Sequence, residues 1–371
     1  MRQKTTTFSN EALALHAFKQ VPEIGNKTLA KLYSTYGNFE KAFAANTEDF
    51  ISLGLSRKLF EEWEKTKNNW NKASAIEQLE SEGIMLVAYS DPDYPLLLKE
   101  IPDYPFLLYI KGSITPFPLH TLAVVGTRNI THYGTSITPE IVAAPSHASV
   151  TIVSGLAYGV DKAAHEAALK HGTRTWAVLG TGVDTHSLYP QAHTNLAQRI
   201  LENGGALISE YPPGTRGLPY HFVARNRIIA GLCEATLIIE CGIKSGALIT
   251  ADFALEQNRS LCAVPGPITS PQSAGTNHLL QSGAFVVTSG TDICELLGIA
   301  AQKTITNLPK LSAEETHLLG YIRQEPVYID TIAEQVPFTH ANINATLTTL
   351  EMKGMIIDIG GHSFIRNPKF L

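Results

Sequence analysis

Between Thr121 and Val287 one pattern returns six times. LAVVG, VTIVSG, TWAVLG, GALISE, ATLIIE and LCAVPG are short apolar runs, each closed by Gly, Ser or a carboxylate and followed by a polar turn and usually a helical stretch. Near-continuous apolar strands alternating with helices specify a parallel sheet covered on both faces. Because crossovers are right-handed, the loops after all six strands lie on one edge of that sheet. The edge collects Gly126-Thr127-Arg128, Ser154-Gly155, Gly180-Thr181-Gly182, Ser209-Glu210, Lys244-Ser245-Gly246 and Pro265-Gly266. The expected fold is α/β, an extended Rossmann-like doubly wound parallel sheet, and its functional site belongs on this edge.

The stretch FVARNRIIAGLCEATLIIECGIKSGALIT, Phe222 to Thr250, sharpens the expectation. An apolar strand broken by a Gly/Ser turn that opens a helix offers unpaired backbone N–H groups to an anion. Arg225 and Arg227 lie just before the strand and Asn226 between them, Lys244 lies after it, and Arg128 follows the first strand. Arginine suits a phosphate because its planar fork donates twice. Gly246 has two open readings: a bare backbone at a phosphate seat, or a residue small enough for close helix-to-strand packing.

The formal net charge of −5 argues against a generic basic coat for nucleic acid. By segment the balance is −2 over 1–120, zero over 121–290 and −3 over 291–371, so any polyanion site must be local. Cys233, Cys241, Cys262 and Cys294 show no metal-ligand spacing and read as reduced, buried thiols. The N-terminus lacks the apolar stretch of a signal peptide, and no run of about 18 apolar residues occurs, so a cytoplasmic protein without a membrane span is expected.

The flanks differ from the core. From Glu11 to about Glu82 the pattern is helical, ending in a long SRKLFEEWEKTKNNWNKASAIEQLE, and PEIGNKTLAKL places Gly25 in a turn before a helix that Lys27 opens. Residues 1–82 thus resemble a SAM-like or helix-hairpin-helix module, which could meet a DNA phosphate, or they are a plain helical bundle; Glu23 in the turn would repel a phosphate. Residues 83–111 alternate short apolar runs with proline turns and read as two strands extending the sheet of a domain spanning 83–300. Pro145, in EIVAAPSHASV, is expected to shorten the helix after the first strand. After a linker at 301–310, residues 311–371 outline three helices and a Gly-Gly hairpin, a winged helix. Its recognition-like helix, 340–353, carries one lysine and no arginine, which favours docking or structure over reading of duplex DNA.

Catalytic arrangements are weak. Asp161 and His165 share a helix face and could form an acid–base pair, though a packing contact is favoured. Ser154 lacks the frame of a hydrolase elbow, and His186 and His193 lack metal-ligand partners. No nucleotide-binding G-x-x-x-x-G-K-[ST] or G-x-G-x-x-G occurs, so neither cofactor nor metal is expected.

AVVGTR…YG, IVSGLAYGVDKAAHEAAL, VLGTGVDTHSLYP, ISEYPPG, FVARNRIIAGL and SGALITADFALEQNR…AVPG, followed by GTNHLLQSGA, resemble in order and spacing the DNA-processing protein A family, DprA or Smf. The resemblance implies a non-enzymatic, homodimeric, single-stranded DNA-binding protein that protects incoming DNA and helps load the RecA recombinase during natural transformation. It also implies that Arg128, Arg225 and Arg227 contact DNA. Where some members carry a lysine in the loop after the third strand, this chain has Gln191, with Thr194 beyond. The competing reading is a Rossmann-type nucleotide enzyme such as a nucleotide phosphoribohydrolase, in which a P-G-G-x-G-T-x-x-E pattern brings a glutamate to the glycosidic bond. Here the strand ends ECGIKSGALIT with Glu240 ahead of the loop, a departure that favours binding.

Overall fold

The computed structural model describes residues 8–299, 311–323 and 325–367. They form two compact units, divided within 300–310, a stretch that contains the expected linker and lies outside the described residues.

The first unit is built on a nine-stranded sheet of order β1-β2-β6-β5-β4-β3-β7-β8-β9. The strands are β1 (Ile84–Ala88), β2 (Leu107–Gly112), β3 (Thr121–Val125), β4 (Thr151–Ser154), β5 (Thr175–Leu179), β6 (Ala206–Ser209), β7 (Ala235–Ile238), β8 (Ser260–Ala263) and β9 (Phe285–Val286). From β6 to β9 every pairing is parallel, and the six repeats of the sequence are β3 to β8. The hairpin β1–β2 joins antiparallel to β6, extending the sheet as its alternation suggests. The order reverses at β3, between β4 and β7, which makes the loops there the switch point of a doubly wound sheet.

Helices α8 (His132–His147), α9 (Val160–Lys170), α10 (Thr194–Glu202), α11 (Pro219–Gly231), α12 (Gly246–Glu256), α13 (Ala274–Gln281) and α14 (Gly290–Leu296) are distributed through this core, and a single turn, α7 (Leu96–Lys99), lies between β1 and β2. Pro145 does not shorten α8, which runs sixteen residues with Pro139 and Pro145 inside. Pro145 falls in the last turn, where its missing N–H removes only one bond, and its carbonyl accepts from Val150 N–H at 2.9 Å. The four cysteines are free and buried, and burial pushes the Cys241 and Cys262 thiols up to about 12. Among the described residues no helix is long and apolar enough to cross a membrane.

The N-terminal residues form α1 (Asn10–Phe18), α2 (Asn26–Tyr36), α3 (Phe39–Ala42), α4 (Thr47–Ser52), α5 (Arg57–Asn69) and α6 (Lys72–Ser81). The expected long last helix is two: Trp70 turns extended, Asn71 caps Ser74 N–H, and the Trp70 ring packs edge-on against His16 at 5.4 Å. The division expected at residue 82 is a change of secondary structure, and one apolar cluster crosses it from Phe18, Phe39 and Trp63 to Leu86, Tyr109 and Leu207. Phe18 stacks on Trp63 at 4.0 Å, and buried His16, its imidazole held down to about 4 by desolvation, shares a 2.8 Å hydrogen bond with Tyr109 Oη. In the turn read as a possible DNA hairpin Glu23, Gly25 and Lys27 are exposed, while Asn26 Nδ2 ties the start of α2 to the sheet part, donating to Asp103 and, at 2.8 Å, to the Tyr104 carbonyl.

The second unit has α15 (Ala313–Leu319), α16 (Ile329–Ala333) and α17 (His340–Met352), with β10 (Val327–Tyr328), β11 (Ile356–Gly360) and β12 (Ser363–Arg366) in a sheet of order β10-β12-β11. This is the expected winged helix, with Gly360 and Gly361 at positive φ in the wing turn. Lys353, which caps the recognition-like helix, places Nζ 2.6 and 2.7 Å from the two Glu315 carboxylate oxygens, so its charge is matched within the unit.

Because the helical and sheet parts share one core, Trp63→Ala is expected to cost about 3–5 kcal/mol and to destabilise both together. Thermal unfolding followed by far-UV dichroism and by near-UV dichroism of the tyrosines should show one coincident, lowered transition; separate melting of the helices would contradict a shared core.

Candidate nucleic-acid interface

At the switch point a cleft of about 690 Å³ opens on the predicted loop edge. It is lined by the β3 loop (Gly126, Arg128), the β4 loop (Ala157, with Asp161 of α9), one face of α11 (Phe222, Arg225, Asn226) and the mouth of α12 (Ser245, Gly246).

Arg225 is the centre of this arrangement although its side chain is buried. Nη1 donates to the Gly155 carbonyl at 2.8 Å and to the Val178 carbonyl, and Nε donates to Asn226 Oδ1 at 3.1 Å. It thereby ties α11 to the ends of β4 and β5. Gly155 is required for this: a Cβ there would fall 2.6 Å from the guanidinium. Burial lowers the Arg225 pKa to about 10, partly opposed by Asp161, and the group stays charged at neutral pH. Asp161 accepts from the Gly155 and Ala157 amides at 3.0 and 3.4 Å. Burial raises its pKa, opposed by Arg225 and those amides. Asp161 does not pair with His165, whose Nδ1 instead shares a 2.7 Å hydrogen bond with Thr175 Oγ1 inside the core.

Arg227, two positions along the helix, points elsewhere. It is buried, with Nη2 2.6 Å from Glu210 and Nε 3.0 Å from Asp103. Burial opposes its charge, but the two carboxylates more than offset this and raise its pKa. The two arginines that look equivalent in the sequence therefore serve different surfaces, and the cleft receives Arg225 alone.

The remaining predicted residues divide in the same way. Arg128 is exposed, its guanidinium 5.9 Å from the centre of the Phe222 ring. Thr127 is buried, its N–H on the Glu240 carbonyl at 2.7 Å, and Gly126 lets the β3 loop pass close to Val160. Ser154 is fully buried and donates to the Val124 carbonyl at 2.7 Å. Asn226 reaches the Gly246 carbonyl at 3.4 Å. Ser245 caps α12, accepting from Ala247 N–H at 3.3 Å, and Lys244 is exposed in the turn before it. A Cβ on Gly246 would meet nothing within 4 Å, so close packing does not require glycine there, and its open side borders the cleft.

Glu240, the glutamate that a glycosidic chemistry would need, is 1% exposed and committed to the start of α8, accepting from Thr131 N–H and Oγ1 at 3.0 and 2.6 Å. Sequence reasoning missed the aromatic wall: Phe222 and Tyr189 line the cleft with ring centres 5.5 Å apart, and Tyr189 is 49% exposed. The signal available was a Tyr-Pro in the loop after the third repeat and a Phe one helical turn before the arginines.

The family model of DNA recombination-mediator protein A matches residues 85–298, and that of the DprA winged helix domain matches 302–362. The chain is 44% identical over 203 residues to DNA processing protein DprA of Streptococcus pneumoniae, covering 55% of this chain and 71% of that protein. It is 35% identical over 298 residues to protein Smf of Escherichia coli, covering 78% and 79%. The solved structure of DprA from S. pneumoniae superposes with a TM-score of 0.66 at 33% identity, over 78% of this chain and 98% of that one. A structure concerning the single-stranded DNA binding mode of DNA processing protein A from Helicobacter pylori superposes with a TM-score of 0.52 at 28% identity, over 58% and 95%.

The burial pattern separates fold from surface. Arg227→Ala, which takes from buried Glu210 its 2.6 Å ion pair and leaves only the charge of Lys19 near it, is expected to lower stability by about 3 kcal/mol, whereas Gly246→Ala should melt within a degree or two of the parent. Melting curves of the two variants check this, and a stable Arg227→Ala protein would contradict the structural role.

Proposed function

Since the chain belongs to the DNA recombination-mediator protein A family, we propose that its cleft binds single-stranded DNA through backbone phosphates. The observation that carries this reading is the pairing of an exposed Arg128, which forms no ion pair among the described residues, with the capped but open mouth of α12 across one cleft. Ser245 takes the Ala247 amide with its hydroxyl and the Leu248 amide with its carbonyl, and the helix dipole favours an anion at the open side of Gly246 that remains. Lys244 adds a mobile charge beside the seat, and Arg225 contributes positive potential while holding the loops. Phe222 and Tyr189 supply ring faces for unstacked bases, a sequence-tolerant mode of binding. In this reading Arg128, Lys244, Ser245 and Gly246 meet the strand, whereas Thr127, Ser154 and Gly155 hold the loops behind the cleft and Arg227 ties α11 to Glu210 and Asp103 away from it.

The wider role is cytoplasmic protection of incoming strands and their delivery to RecA in natural transformation, supported by the family's description as recombination mediators. A non-enzymatic role is supported by the commitment of Glu240 and His165 to structural hydrogen bonds. A homodimer is supported by the edge strand β9, where Phe285 and Val286 are 56% and 57% exposed.

Loss of one charge-assisted contact in Arg128→Ala should weaken single-strand binding by about 1–3 kcal/mol with melting unchanged. Lys244→Ala should reduce the salt slope by about one, while Gly246→Val, which fills the seat and keeps every charge, should weaken binding with the slope intact. Fluorescence anisotropy with a labelled oligonucleotide across a salt series distinguishes these; parent-like binding by Gly246→Val removes the helix mouth from the site. Phe285→Asp is expected to convert a dimer to a monomer in light scattering, and an unchanged mass would move the interface elsewhere.

A further inference from the structure

The loop after β4 carries an exposed ring that the phosphate cleft does not use. Tyr158 is 44% exposed and follows Ala157, which lines the cleft. Its ring stands edge-on to His193, with centres 4.8 Å apart. His193 is only 4% exposed and is itself fixed, its Nδ1 bonded at 2.8 Å to the Leu156 carbonyl. Leu156 sits at φ 57, a left-handed conformation that a leucine keeps only when its surroundings enforce it. The tyrosine is therefore exposed yet held from beneath, in contrast to a surface side chain swinging free in solvent.

Its place along the edge gives the ring a use. The strands run in the order β4, β3, β7, so the loop after β4, which carries Tyr158, neighbours the Arg128 loop after β3, with the Ser245-Gly246 mouth after β7 next beyond. At the spacing of neighbouring strands the ends of β4 and β7 lie about 10 Å apart. Tyr158 thus lies on the side of Arg128 away from the helix mouth.

We propose that Tyr158, braced by His193, is a base-stacking ledge that extends the cleft, so that a strand anchored by its phosphates at α12 and Arg128 lays a further base on this ring. The inference rests on the single-strand reading of the cleft. It makes the site longer than the phosphate seat and selective for unstacked bases, since a ring on a loop can be covered only by a base that has left a duplex stack.

The test measures binding of labelled oligothymidylates of increasing length to the parent, Tyr158→Ala and Tyr158→Phe, each with a melting curve. Tyr158→Ala should lose roughly tenfold in affinity for the longer strands, lose little for the shortest, and keep the parent's salt slope because no phosphate contact is removed. Tyr158→Phe should bind like the parent. In the parent, scanning one abasic position along the strand should reproduce the loss at one place, and at that place Tyr158→Ala should show no additional loss. Parent-like affinity of a stably folded Tyr158→Ala protein at every length would overturn the ledge while leaving the phosphate cleft standing. A parent that binds no single strand would overturn both.

Discussion

The loop edge depends on one buried guanidinium. Arg225 comes from α11, yet its hydrogen bonds end on carbonyls at β4 and β5, with Asp161 as the neighbouring counter-charge. A cation in such surroundings is costly unless its donors are satisfied. Once satisfied, it fixes three separate chain segments at once. The cleft walls are spaced by this arrangement, with Arg225 and Asp161 both at its lining and their charges set against each other. Arg128 and Lys244 can then remain exposed, because the architecture does not rely on them.

The fold was largely legible because burial on both faces leaves few alternatives to an apolar run closed by glycine. Six such runs gave the parallel sheet, and their order in the chain gave the edge on which Arg128, Ser245 and Gly246 meet. Side-chain direction along α11 was not legible. Arg225 and Arg227 differ by two positions, about 200° around a helix, and only the folded chain shows that one meets Gly155 and the other Glu210 and Asp103. Gly155 and Gly246 illustrate the same limit, since both are glycines after a strand, but one makes room for a guanidinium and the other borders open space. Pro145 misled because the expected break supposed a helix interior, whereas the residue lies in the last turn. The aromatic wall escaped notice because isolated aromatics carry no period.

The second unit shows how charge and shape can disagree. Its helices and wing have the outline of a DNA reader, but the lysine at the end of α17 is held by Glu315 and the helix itself has no lysine or arginine. A polyanion gains little counterion release from such a face. The outline is shared with readers of duplex DNA, while α17 lacks the lysines and arginines such readers present.

The contact of the N-terminal helices with the sheet bears on how such chains can be inherited. Phe106, Leu107 and Tyr109 are covered by α1 to α3 and their neighbours, and Asn26 and Asp103 pin the seam. A descendant that discarded those helices would present a broad oily strip beside β2, and selection would have to coat it anew or recolour it with polar side chains. Conversely, a helical module grafted onto a bare core would gain nothing until its underside matched that strip. A substitution on one side of the seam therefore calls for a matching change on the other, whereas the outer faces of the two parts carry no such coupling.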